Sequence, residues 1–308
     1  MDNIFDIMII GAGAAGLTAG IYSSRARLST LILNEGAIGG QMVLTDEIAN
    51  YPGVEKTKGY LVASTMKKQA NNFGCKIKSN IKIQKYSLDG ALKSVELEDG
   101  RIFKSKAVIL APGGRPRALN IPGEDKFKGT GISYCATCDG DFFTGKEVIV
   151  VGGGNSALEE AVALTKYAAK VTVVHQFDHF QAFKHAVEEA QNHPKIHFIM
   201  ESELREFAGN GSLQKVTIEH LPTGNRSELN TDGVFIFIGY QPNTESLKEV
   251  VSLNEHNEII TDSEMRTNIA GVFAAGDCIV KKYRQVTTAV ADGTIAALAA
   301  SEYLRGNS

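Results

Sequence analysis

The chain has 308 residues, 43% of them hydrophobic and 22% charged, enough for about two domains that each bury a core. A formal net charge of −3 and a pI near 6.2 exclude the strongly basic balance of a nucleic-acid binder. No apolar run approaches the ~20 residues of a membrane span, and four cysteines, two of them as CxxC, fit a reducing, cytoplasmic compartment better than a disulfide framework.

The start, MDNIFDIMII, shows no basic leader or cleavage site and is predicted to form a first strand. Residues 4–35 then read as strand, glycine turn, helix and strand, and residues 146–175 repeat that pattern. Continuous apolar strands on either side of each turn predict parallel strands buried on both faces. Between the two units, Leu61, Val62, Met66, Ala70 and Phe73 are expected on one helix face. A meander follows, with turns at LDG and EDG, and ends on the buried strand AVILA. The second unit carries a matching meander, LQKVTIEHLPTGNRSELNTDGVFIFIGY. The tail reads as strand, turn and long apolar helix without a glycine unit of its own, so it is expected to return to the first domain. Linkers are placed at 113–124 and 239–246. The predicted class is α/β: two Rossmann-like dinucleotide-binding domains with three-layer sheets, the second inserted into the first. Residues 1–115 and 245–308 form one domain, and residues 116–244 the other.

GAGAAG places Gly11, Gly13 and Gly16 at G-x-G-x-x-G spacing. The first glycine permits the tight turn, the second lets backbone approach a pyrophosphate, and the third packs helix on strand. The helix N-terminus adds N–H donors and a positive dipole end. Glu35 follows at nearly the spacing of a ribose-hydroxyl acceptor. CATCDG supplies Cys135, Cys138 and Asp139. Such a pair serves a redox disulfide or half of a zinc site. Zinc needs two further ligands, and Cys75 and Cys278 stand alone as expected buried thiols, so no metal is predicted. Asp139 is placed to handle the proton that accompanies thiolate–disulfide exchange.

The order of GAGAAG, GGQM, NYPG, CATCDG, GGGNSALEEA, GYQPNT and VFAAGDC…YRQVTTAVADG is similar to that of low-molecular-weight thioredoxin reductases, essentially end to end. The resemblance implies a flavoprotein homodimer that passes electrons from FAD to the CxxC pair and on to thioredoxin. It implies that Gly11, Gly13, Ala14, Ala15, Gly16, Glu35, Gly40, Gln41, Asn50, Gly276, Asp277, Arg284, Gln285 and Val286 hold FAD. Within that set Asp277 bonds the ribitol chain, and Gln41 and Asn50 lie near the ring system. Cys138 faces the flavin, Cys135 attacks the thioredoxin disulfide, and Asp139 is the acid/base.

One stretch departs from the pattern. NADPH-dependent members read roughly H-R-R-x-x-x-R where this chain has HQFDHFQ: His175 is kept, but Gln176, Phe177 and Gln181 replace the arginines. A 2′-phosphate is normally met by charge-assisted, often bidentate arginine contacts. The glycine turn Gly152–Ala157 survives as a strand-to-helix connection whether or not it holds a nucleotide. Five of the seven histidines (His175, His179, His185, His193, His197) fall close together, without the acids or cysteines of a tight metal site. An intact FAD site and dithiol beside a degraded NADPH site resemble the ferredoxin-dependent flavin thioredoxin reductases. Ferredoxins are acidic, so docking is expected on cations: Lys281, Lys282 and Arg284, with Arg25 and Arg27, or Lys67, Lys68, Lys76 and Lys78. The competing readings are an NAD(P)H-dependent thioredoxin reductase with an atypical ribose site, and a flavin-binding redox sensor without turnover. A ferredoxin–NADP reductase would leave the CxxC without a purpose.

Overall fold

The computed structural model describes residues 4–44 and 48–306, so the first three residues of the stretch read as an opening strand lie outside it. The chain divides into two compact units, residues 1–115 with 241–308, and residues 116–240.

The first unit opens with β1 (Ile4–Ile10), α1 (Ala14–Arg25), β2 (Thr30–Asn34), α2 (Gly59–Asn72) and β3 (Lys76–Ser79). The meander β4 (Ile83–Ser87), β5 (Lys93–Leu97) and β6 (Ile102–Leu110) follows, with its turns at Gly90 and Gly100, both at positive φ. The sheet order is β3-β2-β1-β6-β5-β4. Alternate residues of β1 serve opposite layers: Ile7 and Ile9 join Leu17, Ala63 and Ala296 in one cluster, while Met8 and Ile10 join Leu31, Val108 and Leu110 in the other. That two-sided burial is why the strand is apolar throughout. The buried face of α2 comprises Gly59, Val62, Ala63, Met66 and Ala70. Leu61 and Phe73, expected on that face, are exposed instead: the 3.6-residue repeat through 59, 63, 66 and 70 turns Leu61 aside, and Phe73, although in phase with Met66, is the C-cap where the helix has already ended. Phe73 lies under the Arg25 guanidinium, 5.4 Å from its ring centroid.

Two connecting segments, β7 (Gly114–Pro116) and, later, β16 (Tyr240–Pro242), pair with each other. The second unit contains α3 (Glu124–Phe127), β8 (Ile132–Ser133), α4 (Ala136–Asp139), β9 (Glu147–Val151), α5 (Asn155–Leu164), β10 (Lys170–Val174), α6 (Lys184–Gln191) and β11 (Ile196–Ile199). Its meander is β12 (Ser202–Ala208), β13 (Lys215–His220) and β14 (Asn225–Asn230), before β15 (Gly233–Ile236). The parallel sheet runs β11-β10-β9-β15-β8, and β12-β13-β14 form a separate antiparallel sheet. Val148 and Val150 face α5 and α6 through Leu158, Ala161, Ala186 and Ala190, whereas Ile149 and Val151 pack with Leu204, Phe207 and Val216 of the antiparallel sheet. This is again a three-layer arrangement.

The tail returns to the first unit as β17 (Val272–Ala274) and α7 (Val286–Gly306). β17 pairs parallel with β6, Ala274 opposite Leu110. Among the described residues no helix is long and apolar enough to cross a membrane.

Candidate functional site

The first glycine turn follows Ile10, whose strand is flanked in register by Leu33 and Leu110. Gly11 has φ +104°, and a Cβ there would lie 2.1 Å from the Ala111 carbonyl oxygen. At Gly16 a Cβ would meet the Gly11 carbonyl at 2.0 Å. Packing therefore dictates glycine at both positions. Gly13 is different: a Cβ would find only the Gly40 Cα, at 4.0 Å. The fold does not require glycine at 13, and the bare Cα leaves the backbone open to close approach by a pyrophosphate. Gly13 also caps α1 without a side-chain hydrogen bond, leaving the first N–H groups of Ala14 and Ala15 for an anion. Around the turn, Asn34 Oδ1 accepts the Ala12 N–H at 2.9 Å and Gly39 N donates to the Ala12 carbonyl at 2.8 Å. Gly40 approaches so closely that its Cβ would sit 3.1 Å from the Gly13 Cα. Glu35 is exposed at the end of β2, with Oε1 accepting the Ile83 N–H at 2.9 Å.

The returning tail completes this cradle. Ala15 abuts Gly276, where a Cβ would meet the alanine methyl at 2.8 Å, and its carbonyl would lie 2.2 Å from a Cβ at Gly293. Asn50 Nδ2 donates to Gln285 Oε1 at 3.4 Å, next to Val286 at the start of α7. Gln41 is exposed on the short helical turn 40–44. Asp277 has a shielded Oδ1 with no hydrogen-bond partner. Burial, opposed by Lys281 and Arg284, pushes this carboxyl up to about 6. A buried acceptor with no hydrogen bond, and only the Lys281 ammonium 3.9 Å away, suits a hydroxyl-bearing chain such as the ribitol of FAD. The spare backbone at Gly13 and the unbonded, buried acceptor oxygen of Asp277 together fit FAD.

Two of the cations expected at a docking surface prove to be internal. The Lys281 side chain is only 12% exposed, with Nζ 2.5 Å from Asp292 and 3.9 Å from Asp277. Arg284 pairs with Glu258 and donates to the Asp277 carbonyl at 3.4 Å. Lys281 thus neutralises Asp277 and Asp292, and Arg284 neutralises Glu258, whereas Lys282 is exposed.

In the second unit Cys135 and Cys138 are joined as a disulfide. Cys135 caps α4, its Sγ accepting the Cys138 N–H at 3.2 Å. The sequence gives no periodic sign of Ser133, yet its hydroxyl lies at the centre of this motif. It donates to Asp139 Oδ2 at 2.6 Å and accepts the Cys135 N–H at 3.1 Å. Next to it, the Tyr134 hydroxyl donates to buried Glu124 at 2.6 Å, and the same carboxylate accepts the N–H groups of Leu119 and Asn120. Cys75 and Cys278 are buried, and burial pushes their thiols up to about 11 and about 12, well away from reactive thiolates.

The second glycine turn is filled differently. Gly152, at φ +137°, lies against the Phe237 carbonyl, 2.4 Å from where a Cβ would be. At Gly153 a Cβ would fall 2.4 Å from three atoms of the His175 ring. His175 is buried, its Nε2 donating to the His179 carbonyl at 3.1 Å, and it stacks on Phe180 with centroids 5.9 Å apart. Burial holds this imidazole below its ordinary range. The following segment closes on the turn, with Gln181 N donating to the Gly153 carbonyl at 2.8 Å and Phe183 N to Asn155 Oδ1 at 2.7 Å. At the strand end Gln176, Phe177, Asp178 and His179 are all exposed. Asp178 bonds the His179 ring at 2.6 Å, and that bond holds its carboxyl below the usual range. Residues 175–183 include no lysine or arginine.

A family model described as pyridine nucleotide-disulphide oxidoreductase matches residues 5–293. A protein of Clostridium pasteurianum described as a 34.2 kDa protein in the rubredoxin operon is 46% identical over 301 residues, 98% of this chain and 97% of its own length. Thioredoxin reductase of Peptoclostridium acidaminophilum is 45% identical over 314 residues, covering 100% and 99% of the two chains. Among solved structures, thioredoxin reductase from Streptococcus pyogenes MGAS5005 superimposes with a TM-score of 0.95 at 41% identity, covering 99% of this chain and 100% of that one.

Proposed function

This chain belongs to the pyridine nucleotide-disulphide oxidoreductases and, within them, to the low-molecular-weight thioredoxin reductases, FAD flavoproteins with a redox cysteine pair; we propose that its electrons come from reduced ferredoxin and not from NADPH. The observation that carries this reading is the strand end after β10. It presents Gln176, Phe177, an ionised Asp178 and His179 where a 2′-phosphate calls for guanidinium groups.

The energetics agree. A ferredoxin at about −400 mV can reduce a thioredoxin at about −270 mV. The drop of ~130 mV over two electrons is about 6 kcal/mol. The charge distribution agrees as well. The first unit holds 21 Lys and Arg against 19 Asp and Glu, the second 11 against 16. An acidic carrier is therefore drawn to the first unit, where residues 56–106 alone carry 12 basic and 4 acidic side chains. The Clostridium pasteurianum relative is, by its description, a protein of the rubredoxin operon.

FAD, when bound, supplies a carrier that takes electrons singly and delivers them as a pair to a disulfide. We assign its binding to the first unit. Gly11, Gly13, Ala14, Ala15 and Gly16 cradle the pyrophosphate and Glu35 meets the ribose. Asp277 with Gly276 holds the ribitol, and Gly40, Gln41, Asn50, Arg284, Gln285 and Val286 complete the pocket. In the second unit two electrons and two protons open Cys135–Cys138 to the dithiol, Cys138 being the thiol assigned to exchange with the cofactor. The Cys135 thiolate attacks one sulfur of the thioredoxin disulfide, forming a mixed disulfide and releasing the other sulfur as a thiolate, which takes a proton. The Cys138 thiolate then attacks Cys135 Sγ. That step restores the internal disulfide and frees the second thioredoxin thiol, with Asp139 handling the protons. The setting is a reducing cytoplasm and the assembly a homodimer, as the family resemblance implies.

Installing the missing charges tests the donor. The Gln176→Arg, Phe177→Arg, Gln181→Arg triple variant is expected to bind NADPH at least about 100-fold more tightly than the unaltered chain, since each charged contact contributes about 1.5–3 kcal/mol. NADH affinity should barely change. Tight NADPH binding by the unaltered chain, measured by calorimetry, would refute the reading.

A further inference from the structure

The Ser133 hydroxyl is held in a fixed place. Ser133 ends β8, pairs in parallel register with Phe235, and is 5% exposed. Three polar groups of the redox motif surround its Oγ: Asp139 Oδ2 at 2.6 Å, Cys135 N at 3.1 Å and the Cys135 carbonyl at 3.3 Å. The Cys135 N–H can only donate, so the serine accepts from it. The serine's own proton has two competing acceptors, the Asp139 carboxylate and the Cys135 carbonyl. The shorter contact shows that the carboxylate takes it. The same Cys135 carbonyl also accepts the N–H groups of Cys138 at 3.3 Å and Asp139 at 3.1 Å. One buried hydroxyl thus joins the side chain of Asp139 to the backbone on both sides of Cys135.

We propose that Ser133 is a positioning residue that orients the Asp139 carboxylate toward the cysteine pair and follows its protonation state. This inference rests on the reading of Asp139 as the proton-handling group. While Asp139 is ionised, Ser133 donates to it. When Asp139 holds the proton, the serine hydroxyl is free to turn to the Cys135 carbonyl, and no buried acceptor is abandoned in either state. No electrons move through the serine. Its effect is to favour the ionised carboxylate and to fix where the proton is released and taken up.

The test is single-turnover reduction of thioredoxin by chemically reduced, flavin-loaded enzyme, followed from pH 5.5 to 9. Loss of a bond that favours the carboxylate makes Asp139 keep its proton to higher pH. In Ser133→Ala the limb of the pH profile that follows Asp139 should therefore move up by about one unit, roughly the effect of a tenfold change in proton affinity. Ser133→Thr, which keeps the hydroxyl, should restore the original profile. Bleaching of the flavin by dithionite should be the same in all variants. Should the alanine variant be unstable, Ser133→Val against Ser133→Thr makes the same comparison at matched shape. A profile unmoved in Ser133→Ala, or a uniform loss at every pH that threonine fails to rescue, would overturn the proposal. Asp139→Asn separates the two layers of the argument: if it leaves the profile unchanged, the acid/base reading of Asp139 fails, and the role of Ser133 fails with it.

Discussion

Cys135→Ser is expected to abolish thioredoxin reduction, by a factor of at least about 10⁴, while reduction of the flavin by its electron donor proceeds at an unchanged rate. A serine hydroxyl offers no thiolate near neutral pH, and the disulfide that returns the electrons has lost one of its sulfurs. The fold should tolerate the change. Cys135 caps α4 by accepting the Cys138 N–H, and serine is a favoured residue at such a position. Flavin absorbance under anaerobic conditions reads the first half-reaction, and thioredoxin-dependent reduction of an insulin disulfide reads the second. Thioredoxin turnover in the serine variant would show that the electrons leave by another route.

The second large effect separates folding from cofactor binding within a single turn. Gly11→Ala must place a methyl 2.1 Å from the Ala111 carbonyl oxygen at a φ of +104°. A destabilisation of about 3 kcal/mol or more is expected, from overpacking and a backbone that alanine rarely adopts. Gly13→Ala meets only a Cα at 4.0 Å, with φ −80° and ψ −167° that any residue adopts. The flavin-free protein should therefore melt within a degree or two of the parent, or slightly above it. Its affinity for FAD should fall by about 100-fold or more, because the new methyl occupies the space a pyrophosphate needs. Melting of the flavin-free forms and fluorescence titration with FAD measure the two quantities separately. Unchanged FAD affinity in Gly13→Ala would move the pyrophosphate away from this turn.

Where the sequence spoke clearly, the reason is local. Both glycine turns are flanked by strands buried on two faces, so their signal survives without any knowledge of neighbours. The meander turns show themselves through glycines that adopt positive φ, at Gly90 and Gly100. The phase of α2 was harder to read. Leu61 is apolar but lies off the stripe that packs into the core, and Phe73 is in phase with that stripe but falls at the C-cap, so only the packing partner and the helix end decide which residues are covered. Charge is the least readable property, since a lysine looks the same in sequence whether solvated or buried. Lys281 turns inward to Asp292, and Lys93, 1% exposed, donates to the Gly90 carbonyl at 2.6 Å. Ser133 and Glu124 were silent for a related reason. Their partners lie six and ten residues away across loops, a spacing that belongs to no helical or strand repeat. His175 has a packing role that its place in the motif does not show, since its ring fills the space a Cβ at Gly153 would need.

The donor is the centre of the account, and one measurement addresses it most directly. Flavin-loaded protein is mixed anaerobically with NADPH, NADH or reduced ferredoxin, and the loss of flavin absorbance is followed in time, with oxidised thioredoxin then added. Rapid bleaching by ferredoxin alone, followed by reduction of thioredoxin, is the predicted result. Rapid bleaching by NADPH or NADH would contradict it, and would make the segment from His175 to Gln181 a working ribose site of a different design.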